Sequence, residues 1–197
     1  MKKTFLTAIA ISFLAFSFTN IKKTNYKVNT ETSKINWKGF KPTGSHYGTI
    51  NLDNGNFIVK NDKIIGGEFT INMNSIADLD MPADNEYNAK LVGHLKSADF
   101  FNVEKYPYGS FQIKETENRD SKTLIKGELT LKDISHPVSF LADINIENGQ
   151  LTLKSETFKV DRSKWNIRYK SKSFFDDLKD NFIKDDMEIT IEVIANK

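Results

Sequence analysis

The sequence contains no cysteine among its 197 residues. This absence excludes a disulfide framework, a zinc–thiolate site, an iron–sulfur cluster, a thiol nucleophile and a lipid anchor on an N-terminal cysteine. From Tyr26 onwards the chain also lacks a linker rich in proline, glycine or serine, a low-complexity tract and an internal repeat. Residues 26–197 are therefore predicted to form a single domain.

Only the N-terminus carries a long apolar run. Two lysines precede the apolar residues 5–16, and small residues occupy the positions needed for cleavage after Ser17. This arrangement is typical of a secretory signal peptide over residues 1–17, and the run is short for a membrane span. We expect residues 18–25 to form a flexible leader and the mature protein to be periplasmic or secreted, with no transmembrane anchor.

The mature chain has no excess of charge of either sign. The full sequence has 28 Lys and Arg against 26 Asp and Glu, and the signal peptide removes two of the lysines. A neutral chain has no general electrostatic attraction to DNA or RNA, so we expect no nucleic-acid partner.

Motifs for catalysis or nucleotide binding are missing as well. The sequence has no G-x-S-x-G, no glycine-rich phosphate loop and no G-x-G-x-x-G. The three histidines, His46, His94 and His136, are widely separated, and a zinc site needs three or four converging ligands. We expect structural roles for them, with His94 on the outer arc of a helix and His136 in a turn. The sequence therefore predicts no catalytic residue, no metal ligand and no cofactor.

Acidic residues cluster in several places. Asp78, Asp80 and Asp84 lack the glycine and glutamate that complete a calcium loop, so they are interpreted as solvated loop charge. Asp161 and Arg162 are interpreted as a local ion pair.

The dominant pattern is alternation of apolar and polar residues, which indicates about eight or nine β-strands. Only Glu86–Ser97 and Phe174–Ile183 have helical spacing. The fold class is therefore all-β with one or two short helices, and the unbroken meander from Ser110 to Val160 favours a closed antiparallel barrel. The inward-facing set is apolar: Trp37, Phe57, Phe69, Ile71, Phe111, Leu129, Leu131, Phe140, Phe158, Ile189 and Ile191. Alternation alone leaves open whether these residues fill the barrel or line a cavity.

Several segments resemble those of the YceI-like family and lie in the same order along the mature chain. They are Tyr26-x-Val28, Ser33–Trp37, His94–Phe101 with Tyr106-Pro107 and Phe111, Gly127–Val138, and Phe158–Arg162 with Trp165–Ile167. The chain departs from the family at Asp133, where glycine is usual, which puts only the local turn geometry in question.

The resemblance implies an eight-stranded, lipocalin-like extended barrel that binds a long isoprenoid-type lipid, such as a quinone or polyprenyl chain. The inward-facing set would then form the apolar wall of the lumen. The two helical segments would cover the barrel ends, with Phe100, Phe101, Phe174 and Phe175 at the mouth. The protein would act as a carrier, either as a monomer or as a homodimer.

Two alternatives remain open at this point. One is a periplasmic enzyme acting on a hydrophobic substrate, with His94, His136 or Asp161 as acid or base. That alternative requires two of these residues to converge in the pocket with a perturbed pKa. The other is a stress-related structural barrel with a packed core and no cavity.

Overall fold

The computed structural model describes residues 22–197; the predicted signal peptide and residues 18–21 lie outside the described residues. Within this range the chain forms ten strands, one α-helix and one 3-10 turn. The strands are β1 (Thr24–Val28), β2 (Lys34–Lys41), β3 (Gly44–Lys60), β4 (Lys63–Asp78), β5 (Tyr108–Arg119), β6 (Lys122–Leu131), β7 (Ile134–Glu147), β8 (Gln150–Ser155), β9 (Phe158–Asp161) and β10 (Asp186–Asn196). Helix α1 spans Glu86–Lys96, and the 3-10 turn spans Arg162–Trp165. Strand β1 begins two residues before the predicted start of the domain.

Eight strand positions close into a ring. The order is β10-β2-β3-β4-β5-β6-β7-β8, with antiparallel neighbours, and β8 pairs back onto β10. Strand β1 pairs with the last residues of β10, beyond those that pair with β2. Strand β9 pairs with the first residues of β10, before those that pair with β8. The two short strands therefore extend the positions of β2 and β8 and add no position to the ring. The predicted antiparallel eight-stranded barrel is thus confirmed, and its closure pairs the two ends of the sheet with each other.

Tight turns join the long strands. The pairs Asn61-Asp62, Lys132-Asp133 and Asn148-Gly149 all have positive φ at both residues, as two-residue hairpin turns of type I′ require. Asp133 has φ 59°, so the aspartate that replaces the family's usual glycine adopts the left-handed conformation itself.

The pairing of β3 with β4 shifts register at three places. One shift precedes Asn51 and one lies between Leu52 and Asn54, and β3 continues through Leu52–Gly55 although the composition of that segment predicts a turn. The third shift follows Ile58 and leaves Ile65 without a partner in β3, although the alternation places Ile65 inside the barrel. Ile65 is 42% exposed and Ile64 is buried, because an extra residue in one strand turns the following side chains to the other face.

The two predicted helices have different outcomes. Helix α1 is present, and the side chain of Asn85 caps it by accepting a hydrogen bond from the Tyr87 N–H at 2.8 Å. The helix predicted over Phe174–Ile183 is wrong, because that segment is built of turns. Lys179 has φ 45°, which a right-handed helix does not accommodate.

Candidate ligand-binding cavity

The interior of the barrel is a cavity with an apolar wall. All eleven side chains of the predicted inward-facing set line it. Thirteen further lining residues are not in the predicted inward-facing set: Ile35, Ile50, Leu52, Met73, Ile76, Leu95, Ile113, Ile125, Val138, Leu153, Val160, Met187 and Val193. Most of them lie at alternate positions of the same strands, so the alternation could have found them. Whether any of these side chains touches a ligand stays a prediction.

The cavity is long and narrow. Met187 and Val193 both line it, and residues six apart in a strand are separated by about 20 Å along that strand. The cavity has a volume of about 130 Å³, several times the volume that one water molecule occupies. The barrel is therefore not filled by its own side chains, contrary to the packed-core alternative, and its shape suits a slender chain.

Aromatic rings stiffen the wall. The Phe140 and Phe158 rings stack with centroids 4.7 Å apart, and Phe111 lies 5.8 Å from Phe140. A Cβ at Gly127, in the neighbouring strand, would collide with the Phe111 ring, so the absence of a side chain at Gly127 leaves room for this ring. Such rings supply a large apolar area with little rotational freedom to lose on binding.

One lining residue carries a polar group. The indole Nε1 of Trp37 is buried and has no hydrogen-bond partner within residues 22–197. The indole lies over Gly48 of the adjacent strand, where a Cβ would come within 2.8 Å of Trp37 Cζ2. An unpaired buried donor is unusual, since such groups are nearly always satisfied in native proteins. Trp37 is thus the lining residue that carries a buried polar group without a partner among the described residues, and every other lining side chain is apolar.

Helix α1 closes one end of the barrel through few buried contacts. Leu95 of the helix lines the cavity, but the one fully buried residue on the helix is Asn88. Its Nδ2 donates to the Met81 carbonyl at 3.0 Å, to the Asp78 carboxylate at 3.2 Å and to the Asp78 carbonyl at 3.3 Å. Polar contacts therefore hold the helix to the end of β4.

The four aromatic residues predicted at the mouth occupy three different environments. Phe101 is buried and lines the cavity. Phe100 is buried outside the wall, where its ring packs on the Arg162 guanidinium at 5.5 Å. Phe174 and Phe175 are 39% and 48% exposed and do not line the cavity, and the helix predicted to carry them does not form. That these four residues lie at the mouth stays a prediction.

Arg162 anchors the connection between the 3-10 turn and β10. The side chain is 1% exposed and donates to the carbonyls of Ile167, Ile183 and Lys184 at 2.9, 3.1 and 3.2 Å. Its ionic partner is Asp185 at 3.2 Å, which corrects the predicted pairing with Asp161. Asp161 instead accepts hydrogen bonds from the N–H and hydroxyl of Ser163, as an N-cap does.

The candidate acid–base residues have separate partners. The His94 ring is half-buried between Phe100 and Tyr169, at 5.1 and 4.4 Å, and so is not on the outer arc of the helix. His136 lies within β7 rather than in a turn, and its Nε2 is 3.0 Å from the Lys164 carbonyl oxygen. Neither histidine lines the cavity, and Asp161 does not line it either. The convergence that an enzyme of this kind requires is not found within the described range.

A polar cluster lies beside the end of the barrel to which α1 is attached. His46 Nδ1 is 2.9 Å from Asp80 Oδ2, and one ligand atom each from His46, Asp78 and Asp80 lies within 4.8 Å of the others. Asp78 is 6% exposed at the end of β4, so its interpretation as solvated loop charge is wrong.

The environment shifts the pKa values of the two carboxyls in opposite directions. Burial, reinforced by the neighbouring Asp80, raises the pKa of Asp78 to about 6. Burial also acts to raise the pKa of Asp80, but hydrogen bonds from Asp78, the Tyr47 N–H and His46 outweigh it and hold this pKa below its usual value.

The fold and its interior define a class: a closed antiparallel β-barrel with an apolar central cavity. Residues 26–195 match the family model of the YceI-like domain, and the chain belongs to that family. It is similar to a UPF0312 protein of Photorhabdus laumondii, with 30% identity over 125 residues that cover 50% of this chain and 62% of that protein. A UPF0312 protein of Pseudomonas aeruginosa is 29% identical over 152 residues, covering 73% of each chain.

Solved structures share the fold. BcnA of Burkholderia cenocepacia superposes with a TM-score of 0.68 at 18% identity, covering 86% of this chain and 99% of that one. A polyisoprenoid binding domain from Saccharophagus degradans has a TM-score of 0.60 at 10% identity, with coverage of 87% and 97%. Among residues 22–197, no helix has the length and apolar character needed to cross a membrane.

Proposed function

We propose that this protein binds a long-chain isoprenoid-type lipid, a quinone or a polyprenyl chain, inside the barrel and sequesters or transports it. The observation that carries the proposal is the narrow cavity, whose wall is apolar apart from the indole N–H of Trp37. A pure hydrocarbon leaves that donor unpaired, whereas an oxygen-bearing amphiphile can accept its hydrogen bond. The polyisoprenoid-binding neighbour of the same fold supports this class of ligand.

The apolar wall makes affinity depend on chain length. Each buried methylene contributes about 0.8 kcal/mol, so a fully buried chain of about 40 carbons would gain about 30 kcal/mol before costs. Noncovalent binding reaches a limit near about 18–21 kcal/mol, so ordering of the chain and incomplete burial must offset much of this gain. The cavity volume of about 130 Å³ is too small to hold all of such a chain. We therefore infer that wall side chains rotate, or that part of the chain lies outside the barrel.

The proposed setting is the bacterial periplasm or the extracellular space. The support is the predicted signal peptide over residues 1–17. A carrier in that setting would take a poorly soluble lipid across an aqueous space, a task that requires an enclosed apolar cavity and no reacting group.

Two measurements test the proposal. Native mass spectrometry with lipid extraction, on protein purified from its own cell envelope, should show one isoprenoid-type lipid per chain. The delipidated and refolded mature protein should then bind isoprenoid quinones of increasing tail length with increasing affinity. Equal affinity for short and long tails would contradict the proposal, because a site whose affinity comes from an apolar wall must bind longer tails more tightly.

Matched variants separate the cavity from the acid–base candidates. Alanine substitution of His94, His136 or Asp161 should change lipid affinity by less than tenfold, since none of these residues lines the cavity. If one of these substitutions abolishes a measurable turnover of the lipid, that result supports the enzyme alternative and contradicts the carrier proposal.

A further inference from the structure

The cluster of His46, Asp78 and Asp80 has the internal arrangement of a ligand set. Each carboxylate has one oxygen held by the surrounding protein: Asp80 Oδ1 accepts the Tyr47 N–H at 2.8 Å, and Asp78 Oδ2 accepts the Met81 N–H at 3.1 Å. Asn88 donates to the same Asp78 oxygen at 3.2 Å. Such outer hydrogen bonds fix the orientation of carboxylates that bind metal ions.

One carboxylate oxygen of the cluster has no partner. Asp78 Oδ1 is buried with no hydrogen-bond partner in the described part of the chain. Asp80 Oδ2 contacts His46 Nδ1 at 2.9 Å, and a cation bound by both groups would replace that contact. An unpaired buried carboxylate oxygen is costly, and a bound cation would satisfy it. Imidazole nitrogen and carboxylate oxygen are both ligands of Zn²⁺, and a site with three protein ligands leaves a further position open to water.

We propose that His46, Asp78 and Asp80 form a binding site for a first-row divalent cation of the Zn²⁺ type. The site joins the start of β3 to the end of β4 and to the connection that leads into α1. Asn88 links Asp78 to the helix, so the cation would lie where α1 is attached to the barrel. This inference does not depend on the identity of the lipid.

The surroundings favour a transition metal over Ca²⁺ or Mg²⁺. Lys41 and Lys90 line the groove next to His46, so their ammonium groups reduce the attraction that charge alone would provide. Imidazole is a good ligand for Zn²⁺, whereas Ca²⁺ and Mg²⁺ prefer sites built of oxygen. The structure thus assigns the site to a cation that forms coordinate bonds with nitrogen.

Calorimetric titration tests the site. The mature chain is stripped with EDTA, dialysed at neutral pH and titrated with Zn²⁺, and then with Ca²⁺ in a separate experiment. We expect one Zn²⁺ per chain and at least tenfold weaker binding of Ca²⁺. His46→Gln, Asp78→Asn and Asp80→Asn should each weaken Zn²⁺ binding at least tenfold. His46 and Asp80 are partly exposed, so their variants keep the test valid if Asp78→Asn disturbs folding.

The chain provides a control histidine away from this groove. His136 lies in β7, is partly exposed, and has its Nε2 3.0 Å from the Lys164 carbonyl oxygen. His136→Gln should leave Zn²⁺ affinity unchanged within about twofold. The proposal is overturned if Zn²⁺ shows no saturable binding, if Ca²⁺ binds more tightly, or if the control variant loses as much affinity as the cluster variants do.

Discussion

Replacement of Arg162 by methionine tests how the long connection before β10 is held. The substitution keeps most of the apolar side-chain volume but removes every hydrogen bond of the guanidinium. Three carbonyl oxygens lose their charged donor, and Asp185 loses its ionic partner. The stacking of the guanidinium on Phe100 is lost as well.

The expected cost is large. An acceptor left unpaired in a buried place costs about 1–3 kcal/mol, and removal of one partner from a buried ion pair costs about 3–5 kcal/mol. These costs overlap, because the carbonyls and Asp185 share one cation and the loop can relax towards water. We therefore expect Arg162→Met to lower the free energy of unfolding by about 3–5 kcal/mol, a large part of the 5–15 kcal/mol that is typical of a domain.

Urea unfolding followed by circular dichroism measures this difference, with Arg168→Met as the control. Arg168 lies six residues later on the same connection, is exposed and also stacks on a phenylalanine ring, so its loss should cost less than about 1 kcal/mol. Hydrogen exchange in Arg162→Met should rise first in residues 166–185. The reasoning is refuted if the two arginine variants are equally stable, or if exchange rises uniformly across the barrel strands.

Three further predictions concern the barrel and the polar cluster. Phe69→Asp should destabilise the protein by several kcal/mol because it buries an unpaired carboxylate. Thr70→Asp, on the outer face, should cost less than about 1 kcal/mol. Equal costs in chemical unfolding would contradict the assignment of Phe69 to the inner face and Thr70 to the outer face. In EDTA, the raised pKa of Asp78 means that the folded state binds the Asp78 proton more tightly than the unfolded state does. The contribution of Asp78 to the free energy of unfolding is therefore lost as pH rises from about 4 to about 6. In Asp78→Asn the fall in the free energy of unfolding over this pH range should be smaller, by no more than about 3 kcal/mol, and an unchanged fall would refute the assignment. Leu129→Trp combined with Ile191→Trp should fill the cavity and weaken lipid binding while the circular dichroism spectrum stays β-rich, at a cost of about 1–3 kcal/mol per site; unchanged affinity would place the lipid elsewhere.

The sequence by itself determined the barrel and the composition of its inner wall. Alternation assigns each residue to a face using only its neighbours in the chain, so Phe69, Leu129 and Ile191 could be placed inside without knowledge of any distant contact. The rule failed at Ile65, because a bulge depends on the pairing of two strands and leaves little trace in either one. Helical spacing also predicted a helix that begins at Phe174, but the segment forms turns and Lys179 within it has positive φ.

The tertiary structure alone decided whether the barrel is hollow and what lies beside its α1 end. The cavity is the small difference between the volume that the strands enclose and the volume that their side chains fill, and no single residue encodes such a difference. Arg162 has its ionic partner, Asp185, more than twenty residues away, although an acidic residue precedes it directly. His46 belongs to the start of β3, and Asp78 and Asp80 lie at the end of the next strand and just beyond it. They meet because antiparallel pairing brings those two ends together, so residues that are unremarkable in sequence become one cluster in the fold.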